Sequence, residues 1–413
     1  MDRPKVEIIS IGQELLLGRT INTNAAYIGR ELFNIGLPPQ WITTIADEKS
    51  QIMEAFTTAF SRSDVVISTG GLGPTNDDIT KSVITELTGG QLIFNENILE
   101  KVKAKFSHRG LNMPKVNENQ ALVPDNAILL DNEVGTAPGL LFRKNNKIIF
   151  VLPGVPKEMK YIMINGVIPL LKKEFNLSAS SMLVFRTIGI AESALYEKLV
   201  PVMEQYRDVS FMFYPAYSGV DVKVMPELTA GQQELQNSIL KNIGKYVFSQ
   251  DENQTIQEVI QEMCIQRQYW VSAAESCTGG LLQHLITNIS GSSAYFAGGV
   301  VSYSNEIKHK ILGVSVKDLE HYGAVSDVVA SQMAEGVRKK FKTNIGIAIT
   351  GIAGPTGERP GKPVGTVYIC VRMNETEKVK RFQFGNDREI NKIRSAYTAL
   401  TMLWRMLKEE DIE

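Results

Sequence analysis

Tyr269-Trp270-Val271-Ser272-Ala273-Ala274-Glu275-Ser276-Cys277-Thr278-Gly279-Gly280 is the stretch on which the reading of this chain turns. An apolar run leads into a polar, glycine-ended turn, and a helical pattern starts at Leu281. That order reads as strand, sharp turn and helix N-terminus, the repeating joint of an α/β fold. Such a turn presents free backbone N–H groups and the positive end of a helix dipole to an anion. It also sets the hydroxyl of Ser276, the thiol of Cys277 and the hydroxyl of Thr278 on one edge. A nucleophile beside ready-made oxyanion donors is the minimum equipment for acyl transfer. The plainer alternative is that the two glycines only let a helix pack closely on its strand, and the stretch alone does not separate the two.

Outward from this joint, the C-terminal part continues as α/β. A helix is expected over Thr255–Arg267, strands over Tyr269–Ala274, Tyr295–Val301, Asn344–Thr350, Gly365–Val371 and Lys378–Phe384, and a last helix over Arg388–Lys408. Apolar residues from Ile393 to Trp404 recur on that helix at helical spacing, as a core or subunit-contact stripe would. In Ser302-Tyr303-Ser304-Asn305-Glu306-Ile307-Lys308 a strand ends near Tyr303, and Ser304 or Asn305 caps a helix with Lys308 in its first turn. A cation opposes the dipole there. Desolvated, its pKa falls and it can act as a general base; otherwise it is a surface lysine. The loop Thr350-Gly351-Ile352-Ala353-Gly354 follows another strand and suits close approach by phosphate or ribose, or is a simple turn. Arg388, opening the last helix, can reach an anion.

Glu-Ser-Cys-Thr-Gly-Gly at Glu275, Ser-Tyr-Ser-Asn-Glu-x-Lys at Ser302, Gly-Ala-Val-Ser at Gly323 and Thr-Gly-Ile-Ala-Gly-Pro at Thr350 occur in order. That series resembles the C-terminal domain of the CinA (competence/damage-inducible protein A) family, over roughly the last 160 residues. The resemblance implies a nicotinamide mononucleotide deamidase, a serine–lysine amidohydrolase that releases nicotinate mononucleotide and ammonia without a cofactor. By motif position it makes Ser276 the nucleophile and Lys308 its base. Tyr303 and Glu275 would shape the site, and Thr278, Gly279 and Gly280 would supply donors. The phosphate would fall to Thr350, Gly351, Gly354 or Arg388. Cys277 is the rival nucleophile, since a thiol at a helix N-terminus is activated. The chain departs from the expected Pro-Gly-Asp-Arg before the last helix, having Gly385-Asn386-Asp387-Arg388.

The N-terminal part alternates strands (Val6–Ile11, Pro39–Ile45, Asp64–Ser68) with helices (Asn24–Ile35, Ser50–Phe60), the pattern of a parallel sheet covered by helices. Strands Leu140–Phe142 and Ile148–Leu152 lead into a helix over Pro156–Glu174. Gly70, Gly71 and Gly73 after the third strand let backbone approach a phosphate, and Asp77 and Asp78 offer hard oxygen ligands to a divalent metal. Asn22 and Asn24 at a helix start suit a nucleotide or pterin. Taken singly, each residue also fits a glycine turn and a helix cap. Clusters at strand ends of one parallel sheet favour a site. With Glu133–Gly139 and Leu152–Met159, the pattern resembles the molybdopterin-binding (MogA/MoaB-like) domain at the N-terminus of CinA proteins. That resemblance implies a metal-dependent ADP-ribose pyrophosphatase. Asp77, Asp78 and Glu14 become candidate metal or phosphate ligands, and Gly70, Gly71, Gly73, Thr75 and Thr80 a phosphate cradle.

Between the two, strand, helix, two strands, helix and strand from Met182 to Phe248 match a small ferredoxin-like unit. The expected fold is therefore two three-layer α/β domains, residues 1–177 and 251–413, joined by an α+β unit over 178–250. At 413 residues the chain exceeds one ordinary domain. With 43% apolar and 22% charged residues it is a globular protein, and its net charge of −1 gives no footprint for nucleic acid or a membrane surface. No apolar run reaches a membrane span, and the first residues read as a strand rather than a signal peptide. Three scattered cysteines without C-x-x-C and four histidines point to a reduced, cytoplasmic protein with no structural zinc. A homo-oligomer, a dimer, with small nucleotides as ligands completes the expectation. The rival readings are a molybdopterin- or nucleotide-binding regulator with a degenerate hydrolase domain, and a competence-related interaction protein.

Overall fold

The computed structural model describes residues 4–75, 78–108, 110–177, 182–225 and 231–409. Two compact units emerge, residues 1–180 and 181–413.

The first unit is built on a six-stranded sheet. Its order is Trp41–Ile45, Val6–Ile11, Val65–Thr69, Lys147–Leu152, Gly139–Lys144, Ile128–Leu130. The first four strands are parallel and the last two antiparallel. Alternation along each central strand feeds two cores. Ile8, Ile67 and Phe150 face the helix Thr23–Asn34, while Ile9, Val66 and Ile149 face the helix Lys49–Arg62. The helix expected over Pro156–Glu174 runs unbroken, Pro156–Ile162 and Ile168–Glu174 being continuous through a wider, π-helical turn at Met163–Val167.

The second unit holds two sheets. Residues 183–249 form a four-stranded antiparallel sheet of order Ser210–Ala216, Gly219–Met225, Leu183–Thr187, Val247–Ser249, backed by helices Glu192–Gln205 and Gln232–Ile243. This is the ferredoxin-like arrangement. The following sheet has the order Phe296–Val301, Val271–Glu275, Ile345–Gly351, Thr366–Met373, Thr376–Gln383, three strands parallel and two antiparallel. One face (Val271, Ala273, Ile347, Ile369) packs on helices Ile256–Gln266, Leu281–Thr287 and Arg388–Leu407. Ala396, Leu400 and Trp404 of the last helix are spent in this core, so that stripe is not available to a second subunit. The opposite face packs on a helix absent from the sequence reading, Asp327–Phe341, capped by Ser326. Gly346 allows this close contact, since a Cβ there would lie 2.2 Å from Ala334 O.

Candidate active site

Ser276 stands where the strand Val271–Glu275 ends, at the C-terminal edge of parallel strands where open α/β sheets bind ligands. The neighbouring strand, Phe296–Val301, delivers the helix Asn305–Leu312, whose first turn is capped by Ser304 Oγ, 3.2 Å from Ile307 N–H. Lys308 from that turn points inward and is only 1% exposed. Its Nζ lies 2.9 Å from Ser276 Oγ and donates to Ser302 O at 2.7 Å. Burial lowers the Lys308 pKa to about 8. A neutral amine in this position keeps an N–H for Ser302 O and offers its lone pair to the serine hydroxyl.

Cys277 is buried, and burial pushes its thiol up to about 12, which leaves no thiolate at neutral pH. The activation expected from the helix N-terminus is absent because that terminus is already occupied. The buried Glu275 carboxylate takes the Gly280 and Leu282 N–H groups on Oε2, at 3.0 and 3.1 Å, and the Gln283 N–H on Oε1 at 2.9 Å. An internal anion thus holds the place that the sequence reading left for a ligand. Gly279 N–H is also engaged, by Ser276 O at 3.1 Å, and Thr278 is fully buried with its Oγ1 unpartnered. Neither Glu275 nor Thr278, Gly279 or Gly280 lines the cavity at Ser276. The amides of Cys277 and Thr278 donate to no protein acceptor among the described residues. They are the donors that remain.

The cavity measures about 260 Å³. Thr350, Gly351 and Gly354 form part of its wall, with Thr350 Oγ1 donating to Ala324 O at 2.7 Å. Arg388 enters it despite the altered preceding residues. Its Nη1 donates to Gly354 O at 2.8 Å and its Nη2 to the hydroxyl of Tyr303 at 2.9 Å. Tyr303 itself is 62% exposed and forms the rim. Arg359 and Lys362 also line the cavity, from a loop closed by reciprocal Arg359–Lys362 backbone hydrogen bonds. The sequence reading missed both, although Gly357-Glu358-Arg359-Pro360-Gly361-Lys362 was a visible turn carrying two cations. Among the described residues no carboxylate lines the cavity, so its charge is positive.

In the first unit, Glu14, Asn22 and Asn24 border a small cavity of about 120 Å³ with Thr69 and Gly154. The Asn22 side chain is spent as a helix cap, accepting from Ala25 N–H at 3.0 Å. Asn24 Nδ2 ties Thr69 Oγ1 and Gly154 O together at 3.0 and 2.7 Å. The glycine loop adjoins that lining, Gly70 following Thr69 and packing against Ile11 and Gly154. Gly70 and Gly71 adopt φ of +116° and +66°, and Thr80 Oγ1, against which a Gly71 side chain would clash, is buried and unpartnered. Gly73 abuts the Asp78 carboxylate, whose Oδ2 accepts from Thr75 N–H at 2.9 Å and Thr75 Oγ1 at 2.6 Å. Asp77 lies outside the described residues. Among the described residues no three His, Cys, Asp or Glu side chains assemble a metal site. Two further groups appear that the sequence reading did not select. Lys81 is lowered to about 8 by burial, and Asp47 is raised by burial together with repulsion from Glu14 and Asp78.

A serine at a strand-turn-helix joint, with a buried lysine partner in a positively charged cleft, defines an α/β protein with a candidate active site at the strand ends. Two family models match the chain: "CinA C-terminal domain" over residues 253–407 and "Probable molybdopterin binding domain" over residues 7–173. A protein of Caldicellulosiruptor saccharolyticus, named for competence-damage induction, is 41% identical over 403 residues, covering 96% of this chain and 98% of its own length. A CinA-like protein of Kosmotoga olearia is 38% identical over 409 residues, covering 98% and 99%. A solved structure of CinA from Thermoplasma acidophilum, its function described as unknown, is 35% identical and covers 42% of this chain and 98% of its own, with a TM-score of 0.37. The chain belongs to the CinA family, with a MogA/MoaB-like N-terminal domain. No helix among the described residues is long and apolar enough to cross a membrane.

Proposed function

We propose that residues around Ser276 hydrolyse the amide of nicotinamide mononucleotide to nicotinate mononucleotide and ammonia. The observation that carries this reading is the 2.9 Å contact between Lys308 Nζ and Ser276 Oγ inside a cleft with no lining carboxylate. Neutral Lys308 takes the Ser276 proton as Oγ attacks the carboxamide carbon. The oxyanion of the tetrahedral intermediate turns to the amide of Cys277, the residue after the nucleophile and the one of the two that borders the cavity. Lys308 returns the proton to the departing ammonia, leaving a Ser276 ester. Water then attacks that ester, its proton passing through Lys308 back to Ser276, and the carboxylate product leaves. Arg388, Arg359 and Lys362 meet the substrate phosphate.

Ammonia release from nicotinamide mononucleotide tests the reading. Ser276→Ala and Lys308→Ala are expected to lose activity by roughly three orders of magnitude or more. Cys277→Ala is expected to keep most of it. An inactive parent enzyme would return the binding-protein alternative, and loss confined to Cys277→Ala would name a different nucleophile.

For the N-terminal domain we propose cleavage of ADP-ribose to AMP and ribose 5-phosphate, with a divalent metal as cofactor. The unpartnered Thr80 Oγ1 beside the left-handed Gly70–Gly71 turn favours a phosphate there. Asp78, at the glycine loop, and Glu14, in the adjoining cavity, are the carboxylates that would hold the metal, which would supply charge neutralisation at the two phosphates. AMP release with magnesium and with EDTA is the test; binding without cleavage in either would leave a nucleotide-binding domain.

A further inference from the structure

A second cavity, of about 550 Å³, lies within the second unit, between the ferredoxin-like sheet and the last helix. Arg405 lines it and is only 8% exposed, yet makes no ion pair with any carboxylate among the described residues. Its one recorded hydrogen bond runs from Nη2 to Gly189 O at 3.3 Å, and its guanidinium lies 5.8 Å from the centre of the Tyr246 ring. With one long hydrogen bond, the other donors of this guanidinium are left to the cavity and can receive an anion there. Lys380 and Arg394 add two cations to the same lining, against one carboxylate, Glu192. Glu192 opens the helix Glu192–Gln205, whose N-cap, Ala191, supplies no side-chain acceptor and also lines the cavity. The N-terminus of this helix thus borders the cavity that Arg405 lines. Phe382 and Phe384 stand with parallel rings, their centroids 6.0 Å apart, and with Tyr397 they form an aromatic wall.

We propose that this cavity is a second binding site, for a small phosphorylated compound carrying an aromatic ring, a nucleoside monophosphate by class. The phosphate sits between Arg405 and the uncapped start of the Glu192–Gln205 helix, and the ring lies on Phe384 and Tyr397. The size suits one such molecule, since ligand cavities of this class span about 300–1,000 Å³. The site is separate from the cleft at Ser276 and shares no lining residue with it.

AMP is the probe, with inorganic phosphate and adenosine as its two halves. The full chain is photolabelled with 8-azido-AMP and the labelled peptides are identified, alongside equilibrium binding of AMP to the parent, Arg405→Met and Lys380→Glu. The proposal expects label within residues 188–220 or 380–405. It also expects at least about tenfold weaker AMP binding in both variants, and competition by phosphate. Arg405→Met should still fold, because the unbranched methionine keeps the apolar stem packed beside Tyr246. Should it fail to fold, Lys380→Glu, a change on a partly exposed strand position, carries the test. Label confined to the Ser276 cleft or the N-terminal unit overturns the proposal. So does AMP binding that neither variant alters, or no binding by the parent at about 1 mM.

Discussion

Lys308 is held beside Ser276 with its pKa lowered from 10.5 to about 8, so at neutral pH most molecules carry a buried ammonium. In the proposed mechanism neutral lysine is the base, so kcat/KM is expected to rise about tenfold per pH unit up to about pH 8 and then level. A flat profile between pH 6 and 8, roughly, would remove Lys308 from that role. The same shift has a stability consequence. Below the folded-state value both the folded and unfolded lysine are protonated, and the folded protein bears the whole cost. From 10.5 to about 8 this is about 3 kcal/mol. It shrinks as pH rises through 8 and is gone above the unfolded-state value. Lys308→Met should therefore abolish turnover and raise the melting temperature at pH 7, a calorimetric measurement in which a fall would contradict the burial argument. Arg388 touches Gly354 and Tyr303 in the wall of the cleft and makes no hydrogen bond to Ser276. Arg388→Met is expected to raise KM by about tenfold with a smaller change in kcat, as steady-state kinetics will read.

At the scale of elements, the seven-residue helix Leu281–Thr287 depends on Glu275. Glu275→Gln keeps the shape but brings an NH₂ against the backbone donors, and should cost about 2 kcal/mol in urea unfolding. It should also lower amidase turnover by displacing Ser276; a variant as stable as the parent would refute the cap. The strands were legible because apolar residues bounded by glycine and polar turns mark them locally, as at Val271–Glu275 and Ile345–Gly351. The helix Asp327–Phe341 was not, since Val328 and Val329 at its start read equally as strand. Its burial against Gly346 is a tertiary fact. The wider turn at Met163–Val167 left no local mark beyond Gly166 and Pro169 in its neighbourhood.

The whole molecule divides into two units, each with its own sheets and its own buried clusters. A fragment starting at residue 181 is expected to fold alone and keep ammonia release within about twofold of the full chain. Activity assays on that fragment, with circular dichroism for its fold, check this. What the sequence by itself determined was the α/β class, the family and the two residues on which the chemistry is proposed to turn, because motif identity and hydrophobic period are local properties. Tertiary structure alone decided which groups meet. Ser276 and Lys308 stand 32 residues apart and are joined only by the neighbouring positions of two parallel strands. Tyr303 and Arg388 are 85 apart, brought together at the mouth of one cleft. Glu275 claimed the helix N-terminus and Arg359 and Lys362 entered the cleft for the same reason: burial and contact depend on sheet order and packing, which short stretches of chain do not encode.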